Sequence, residues 1–260
     1  MKIAILLKQA PVKDATLKIA GAGSWIDEGD VSFEINESDH YGLEEALRLK
    51  EKHGGEVVVV TMGPDRVKEA IKQALAKGAD RAIHINSDEF DNPDPTIHAR
   101  ILSAAIREEN FDLILSGLQS DDYGYGQTGV LVAEMLGASH ATLVMETDVQ
   151  GDKIKVKREL ESGWFQNVTI PLPAVLTIQS GLNQIRYATI KGIMAAKRKP
   201  IQEVTFSDLG MSDDEVNSGG VQLHKIYIPQ KSKQTAILEG DAKEIVATLI
   251  DKLKNEAKVL

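Results

Sequence analysis

The stretch FDLILSGLQSDDYGYGQTGVLVAEMLG, residues 111–137, carries the pattern that predicts the fold. It begins with the short apolar run DLILSG and ends with VLVAEMLG, which reads as a helix. Short apolar runs of this kind are typical of strands buried on both faces of a parallel sheet. The connection from Ser116 to Gly129 is longer than the ~2–6 residues that usually join a strand to a helix. We therefore expect this loop to have a function of its own.

The same pattern of a strand followed by a helix recurs upstream. The runs KIAILL, EVVVVTMG and RAIHIN are short and apolar, and helical patterns such as Glu37 to His53 lie between them. Strands that alternate with helices predict right-handed crossovers and a doubly wound, mostly parallel α/β sheet. If the strand order is 3-2-1-4-5, the winding reverses between the first and fourth strands. The loops KQAPVKDAT and DDYGYGQTG then meet at the edge where such sheets bind nucleotides.

Beyond Gly137 the pattern changes. DKIKVKREL and FQNVTIPLPAVLTI predict antiparallel strands of an added sheet, with Trp164 and Phe165 in core positions. TIKGIMAAKRK predicts a helix, and a polar linker from Ser207 to Gly220 leads to a last helix that begins at Asp241. The last helix carries an apolar face, which packs either on a partner or on the chain's own core.

Composition narrows the functional classes. The 260-residue chain is 42% hydrophobic, as soluble globular proteins are, and it has no cysteine. The absence of cysteine excludes disulfides, thiol catalysis and iron–sulfur clusters held by this chain, so electron chemistry would require a bound cofactor. A net charge of -9 argues against general nucleic-acid binding.

The apolar runs are shorter than the ~20 residues of a membrane span, and the N-terminus becomes polar too early for a signal peptide. We therefore expect no membrane insertion and a location in the cytoplasm or an organelle matrix.

Gln127-Thr128-Gly129 would begin the helix after the long loop. Free backbone N–H groups, a hydroxyl and an amide at the positive end of a helix favour an anion, which predicts a phosphate site. The alternative is a helix cap and a surface turn. Asp121 and Asp122 cannot also face a phosphate without a metal, so we expect them to turn to a ribose, to solvent or to a partner's backbone. The sequence lacks the Walker and GxGxxG patterns, a metal-like spacing of histidines and a catalytic triad, and it predicts no catalytic or metal-binding residues.

Several segments resemble the β subunit of electron transfer flavoprotein. They are LEEALRLKE (43–51), KGADRAIHI (77–85), the Gln-Thr-Gly turn, KVKRELESG (155–163) and above all LPAVLTIQSGLNQIRYATIKGIMAAKRK (172–199). The resemblance covers most of the chain in order. It implies a heterodimer whose α subunit holds most of an FAD, with electrons passing from acyl-CoA dehydrogenases or related flavoenzymes to a membrane quinone oxidoreductase. Such a subunit carries electrons rather than catalysing a reaction on a substrate of its own.

The resemblance also implies site residues and domains. A structural AMP would bind in an α/β domain of residues 1–200, and residues 201–260 would form the linker and C-terminal arm. A recognition loop over 187–199 would dock on the dehydrogenase with Ile190 as its apolar anchor, and Glu159 would orient the mobile flavin domain. The AMP pocket would be lined by Leu6, Leu7, Lys8, Asn36, Met62, Asp122, Gly126, Gln127 and Thr128. The recognition contacts would be Tyr187, Thr189, Ile190, Ile193 and Met194.

Two departures from the family pattern keep alternatives open. Ser38 stands where an aromatic residue is expected near the flavin, and Gly126 stands where an asparagine is expected near the nucleotide. These changes keep open the alternative of a bifurcating flavoprotein, whose β subunit holds a second FAD in place of AMP and oxidises NADH. Outside the family, the remaining hypothesis is a stand-alone adenine-nucleotide sensor.

Overall fold

The computed structural model of the chain describes residues 1–21, 23, 25–87, 90, 92–229 and 235–260. The strands of the described part are β1 (Lys2–Leu6), β2 (Gln9–Pro11), β3 (Phe33–Ile35), β4 (Glu56–Gly63), β5 (Arg81–Asn86), β6 (Leu113–Gly117), β7 (Ser139–Gln150), β8 (Lys153–Glu159), β9 (Phe165–Pro171), β10 (Ala174–Ile178) and β11 (Ile201–Val204). The α-helices are α1 (Glu37–His53), α2 (Lys68–Lys77), α3 (Pro95–Ile106), α4 (Thr128–Leu136), α5 (Ile190–Ala196), α6 (Asp213–Asn217) and α7 (Ala242–Asp251).

One large sheet dominates the fold. Its nine strands run in the order β11-β5-β4-β1-β6-β10-β7-β8-β9, and the pairs from β11 to β7 are parallel. β2 and β3 form a separate antiparallel pair. The order β5-β4-β1-β6 matches the 3-2-1-4 part of the expected arrangement, but the strand beside β6 is β10 and not the next strand of the chain, β7. The predicted α/β fold class is confirmed.

Helices cover both faces of the sheet. Side chains alternate along each strand, so Ile3 and Ile5 of β1 face one helical layer and Ala4 faces the other. The first layer contains α1 and α2, which contribute Leu43 and Ile71 to the core, and the second contains α3 and α4. Strands buried on both faces explain why the central runs are apolar throughout.

Glycine and capping residues set the helix limits. α1 ends at Gly54, whose positive φ of 73° is a conformation that most L-residues avoid. Asp94 caps α3 by accepting a hydrogen bond from the Thr96 N–H, and Pro95 occupies the first turn. Near the end of the chain, the predicted last helix, α7, begins at Ala242, and Asp241 caps it by accepting hydrogen bonds from the N–H groups of Lys243 and Glu244.

The structure corrects the sequence prediction for residues 153–178. β8 and β9 are antiparallel, but they extend the main sheet beyond β7 and do not form a separate sheet. The segment Ala174–Ile178 is parallel to both of its neighbours and lies between β6 and β7. All five of its residues are buried, which is the environment that a continuous apolar run requires. Trp164 and Phe165 are not core residues either, because they are 72% and 46% exposed.

The chain divides into two compact units, residues 1–225 and 226–260. The first unit includes β11, which pairs with β5, and α6, which buries Val216 in the second helical layer. It therefore extends past residue 200, where the sequence suggests a boundary. The second unit contains α7 and a π-helical turn over Lys252–Glu256. Among the described residues, none of the helices combines the length and the apolar character that a membrane span needs.

Candidate functional site

The winding of the sheet reverses between β1 and β6. These strands are adjacent and parallel, and the next helices along the chain, α1 after β1 and α4 after β6, lie on opposite faces. The loops that follow their carboxyl ends diverge and leave a crevice. A cavity of ≈ 160 Å³ lies there. Its lining includes the predicted residues Leu6, Leu7, Lys8, Asn36, Met62, Gly126, Gln127 and Thr128.

Asp122 lies beside the cavity lining and contacts it through Lys8. The Lys8 ammonium is 2.6 Å from Asp122 Oδ1 and 3.3 Å from Ser120 Oγ. Burial tends to raise the pKa of Asp122, but the Lys8 charge and the hydrogen bonds around the carboxylate outweigh it, so this pKa is held below its usual value. Asp122 is therefore an anion that fixes Lys8 at the edge of the cavity.

Asn36 holds the long loop in place. Its side chain donates to the Gln119 carbonyl at 2.9 Å and accepts from the Asp121 N–H at 2.8 Å, and it is almost fully buried. Asp121 in turn accepts a hydrogen bond from the Glu37 N–H at the first residue of α1. This carboxylate thus turns to a backbone group of its own chain, whereas the sequence suggested a ribose, solvent or a partner's backbone.

Asp39 is a further site residue that the sequence did not single out. It lies in the first turn of α1, is only 4% exposed, and accepts hydrogen bonds from the N–H of Lys8 at 2.7 Å and the N–H of Gly117 at 2.6 Å. One carboxylate therefore joins the ends of the two strands that define the crevice. Burial raises its pKa to about 7, although both N–H donors oppose the rise. A Cβ on Gly117 would lie 2.4 Å from Asp39 Oδ1, which explains the glycine at the end of β6.

The first turn of α4 also borders the cavity. Gln127 precedes the helix without a side-chain cap, and Gln127, Thr128 and Gly129 all line the cavity. Gly129 is required at this position because a Cβ would lie 2.5 Å from Ser116 Oγ and 2.6 Å from Thr177 Cγ2. The helix thus starts close against two strands, and its first N–H groups, which no side chain caps, border the same cavity as Lys8. This combination fits a phosphate group.

The cavity lining also includes aromatic and aliphatic residues. Tyr123 and Tyr125 line the cavity, and their rings stack at a centroid distance of 5.7 Å. Tyr123 also stacks on Trp25 at 5.4 Å and lies 4.7 Å from the Lys8 ammonium. Val60, Pro93, Pro95, Leu102 and Leu118 supply aliphatic contacts. Aromatic and aliphatic contacts at the same cavity as an anion site suit a nucleoside monophosphate, whose base is planar and whose phosphate is charged.

A second candidate region is a surface. Tyr187 is 94% exposed and Ile190 is 83% exposed, and Ile193 and Met194 are also exposed. The Thr189 side chain accepts a hydrogen bond from the Gly192 N–H and so caps the N-terminus of α5. Because it is so exposed, Ile190 is not a core contact of its own helix. Glu159, at the end of β8, accepts a hydrogen bond from the Gln179 side chain at 2.9 Å.

Comparison with known proteins gives one family. The family model described as electron transfer flavoprotein domain matches residues 24–209. The electron transfer flavoprotein subunit beta of Methylophilus methylotrophus is 40% identical over 264 aligned residues, which cover 99% of each chain. The protein of the same name from Bacillus subtilis (strain 168) is 33% identical, and the mitochondrial one from Oryza sativa subsp. indica is 35% identical, both with complete coverage of both chains.

Proposed function

The chain belongs to the electron transfer flavoprotein family, among its beta subunits, and from this membership we propose that it is the nucleotide-binding half of a heterodimeric electron carrier. Its partner would be an electron transfer flavoprotein alpha subunit, which would hold most of an FAD. The donors would be acyl-CoA dehydrogenases or related flavoenzymes, and the acceptor would be a membrane quinone oxidoreductase. The complex would work in the cytoplasm, or in the mitochondrial matrix of a eukaryote.

We further propose that the cavity between β1 and β6 binds AMP as a structural element. The observation that carries this proposal is that the Lys8 ammonium and the uncapped first turn of α4 both border one cavity. Lys8 and the first N–H groups of α4 would hold the phosphate, and Met62 and Leu102 would contact the base. The AMP would then tie the ends of β1 and β6 to α4, and it would take no part in the chemistry.

The division of labour follows from these roles. FAD, when bound, would supply the redox chemistry and would carry two-electron equivalents as one-electron steps. This chain has no cysteine, and its sequence predicts no catalytic residues, so its own contribution is to hold structure and present a surface. The exposed side chains around Ile190 would dock the complex on the donor, and a small apolar contact allows the rapid release that repeated electron transfer needs.

The test is a measurement of nucleotide content. The chain is co-expressed with its alpha partner, the purified complex is denatured, and the released AMP and FAD are separated by chromatography. One FAD and one AMP per heterodimer are expected. Two FAD and no AMP would instead support the bifurcating enzyme that oxidises NADH, the alternative that the departures at Ser38 and Gly126 keep open. A nucleotide-loaded homo-oligomer that does not bind the alpha partner would support a sensor.

A matched pair of variants links the result to the cavity. Replacing Gln127 and Thr128 together by alanine removes two polar side chains at the start of α4 and should lower the AMP content of the complex. Lys72, an exposed lysine of α2, lies outside the cavity, and Lys72→Ala serves as the control. A fully AMP-loaded Gln127→Ala/Thr128→Ala complex would mean that the loop is only a turn.

A further inference from the structure

The segment from Gln179 to Thr189 joins β10 to α5 and contains neither helix nor strand. It leads directly into the exposed surface formed by Tyr187, Ile190, Ile193 and Met194, which we call the apolar docking surface. Irregular exposed segments are commonly among the least stable parts of a fold. The docking surface can therefore keep one shape only if specific contacts hold this segment.

Arg186 makes such contacts immediately before Tyr187. Its guanidinium donates to both carboxylate oxygens of Glu44, through Nε at 2.8 Å and Nη2 at 3.0 Å, and its backbone N–H donates to Glu44 at 3.1 Å. The same guanidinium also donates to both oxygens of Glu51, seven residues further along α1. One side chain and its own backbone thus bind the segment to two turns of α1.

The neighbouring carboxylate of α1 holds the segment at a second point. Asn183 donates to Glu45 Oε2 and to the Tyr41 carbonyl, both at 3.1 Å. Glu45 also accepts a hydrogen bond from Thr147 of β7. Glu44 and Glu45 are 4% and 8% exposed. Both carboxylates are therefore buried and hydrogen-bonded to specific partners.

Burial makes the Arg186 contact stronger than a surface ion pair. The Glu44 side chain is 4% exposed and that of Arg186 is 30% exposed, so water screens the pair only in part. Two parallel N–H donors also fix the direction of the arginine, which a lysine cannot do. Arg48 pairs with Glu44 as well, at 3.1 Å, but from within α1 and without touching the segment.

We propose that Arg186 is a positioning residue for partner docking, because it anchors the start of the apolar docking surface to α1 before a partner binds. This inference rests on the proposed docking role of the surface and deepens it. A segment that is already ordered loses less conformational entropy on binding, so the anchor raises affinity without contacting the partner. The effect should appear in the binding of the donor and should leave the flavin and nucleotide content unchanged.

The experiment uses the purified heterodimer and three variants. Arg186→Gln removes the guanidinium, and Arg186→Lys keeps the charge without the bidentate geometry. Arg48→Gln removes a partner of Glu44 that makes no hydrogen bond to the segment. Hydrogen exchange is measured by mass spectrometry on peptides that span 179–196. KM and kcat for reduction by an acyl-CoA dehydrogenase are measured with the heterodimer as the varied substrate, beside an Ile190→Ala complex.

We expect both Arg186 variants to speed exchange in this segment about tenfold and to raise KM severalfold at unchanged kcat. Arg48→Gln should change neither quantity. Unchanged exchange in both Arg186 variants would overturn the inference, and so would faster exchange with an unchanged KM when Ile190→Ala does raise KM. If Ile190→Ala leaves KM unchanged as well, the docking role itself is wrong, and the positioning role falls with it.

Discussion

The Lys8 ammonium lies 2.6 Å from the Asp122 carboxylate and so joins the loop after β1 to the loop after β6. The same ammonium lies 4.7 Å from the centre of the Tyr123 ring. An anion and an aromatic ring therefore fix one cation at the edge of the cavity, which reduces the entropy that Lys8 loses when a ligand binds. Asp122 would accordingly act on the phosphate of the proposed AMP through Lys8.

The first prediction concerns this cation. Lys8→Met keeps the length of the side chain and removes the charge, so it should weaken AMP binding by at least about tenfold, since a charge-assisted hydrogen bond contributes about 1.5–3 kcal/mol. Isothermal titration of nucleotide-stripped heterodimer measures the change. Lys13→Met is the control, because Lys13 pairs with Glu37 outside the cavity lining. Equal affinities of the Lys8→Met and wild-type complexes would remove Lys8 from the phosphate site.

Asp39 gives a prediction about pH. Burial raises its pKa from an ordinary value of 3.8 to about 7. Between these values the folded protein binds more protons than the unfolded chain, so the contribution of Asp39 to the free energy of unfolding decreases as pH rises from about 4 to about 7. The free energy of unfolding of the wild-type protein minus that of Asp39→Asn should therefore decrease over that range and stay constant above it. Urea unfolding at several pH values measures it, and a difference that grows with pH would show that the two N–H donors outweigh burial.

The sequence predicts the central sheet well because its strands leave a distinct pattern. Runs such as KIAILL and DLILSG are apolar at every position, and parallel strands buried on both faces require this. The error at 174–178 has a physical cause. AVLTI has the same pattern of continuous apolar residues, but it follows antiparallel strands closely in the chain, and local sequence does not show which neighbours a strand will pair with. The strand pattern around Trp164 and Phe165 favours core positions, but such a local pattern does not reveal that β9 lies at the edge of the sheet.

Part of the candidate site was also predictable from the sequence. The switch-point rule and the family resemblance together place Lys8, Gln127 and Thr128 at one edge, and the structure brings all three to one cavity. Asp39 was missed because an acidic residue in a first helical turn usually favours the helix dipole, and its contacts are made to residues 31 and 78 positions away. The stacking of Trp25 on Tyr123 could not be predicted either, because it joins residues that are far apart in the sequence. The sequence singles out only Tyr123 and Tyr125, as two tyrosines in an unusual loop.

Gly129 gives a prediction about stability. Alanine normally stabilises a helix relative to glycine, by up to about 1 kcal/mol. At this position the new Cβ would lie 2.5 Å from Ser116 Oγ and 2.6 Å from Thr177 Cγ2, so we expect Gly129→Ala to lower the free energy of unfolding by about 1–3 kcal/mol. Adding Ser116→Ala removes one of the two clashes and should restore part of the loss. Thermal unfolding of the single and double variants measures both effects, and a stabilised Gly129→Ala protein would show that α4 does not start this close to the strands.

Ile190 gives a prediction that separates docking from folding. Its side chain is 83% exposed, so Ile190→Ala should leave the unfolding free energy of the heterodimer and its FAD content unchanged. If the side chain fills a pocket on the donor, its removal forfeits about 1.5–3 kcal/mol of apolar contact, and KM for reduction by the donor should rise tenfold or more, at unchanged kcat. Leu17→Ala is a suitable control, because Leu17 is an exposed aliphatic residue outside the docking surface. Steady-state reduction kinetics measure the change, and equal KM values for Ile190→Ala and Leu17→Ala would mean that the donor binds elsewhere on the complex.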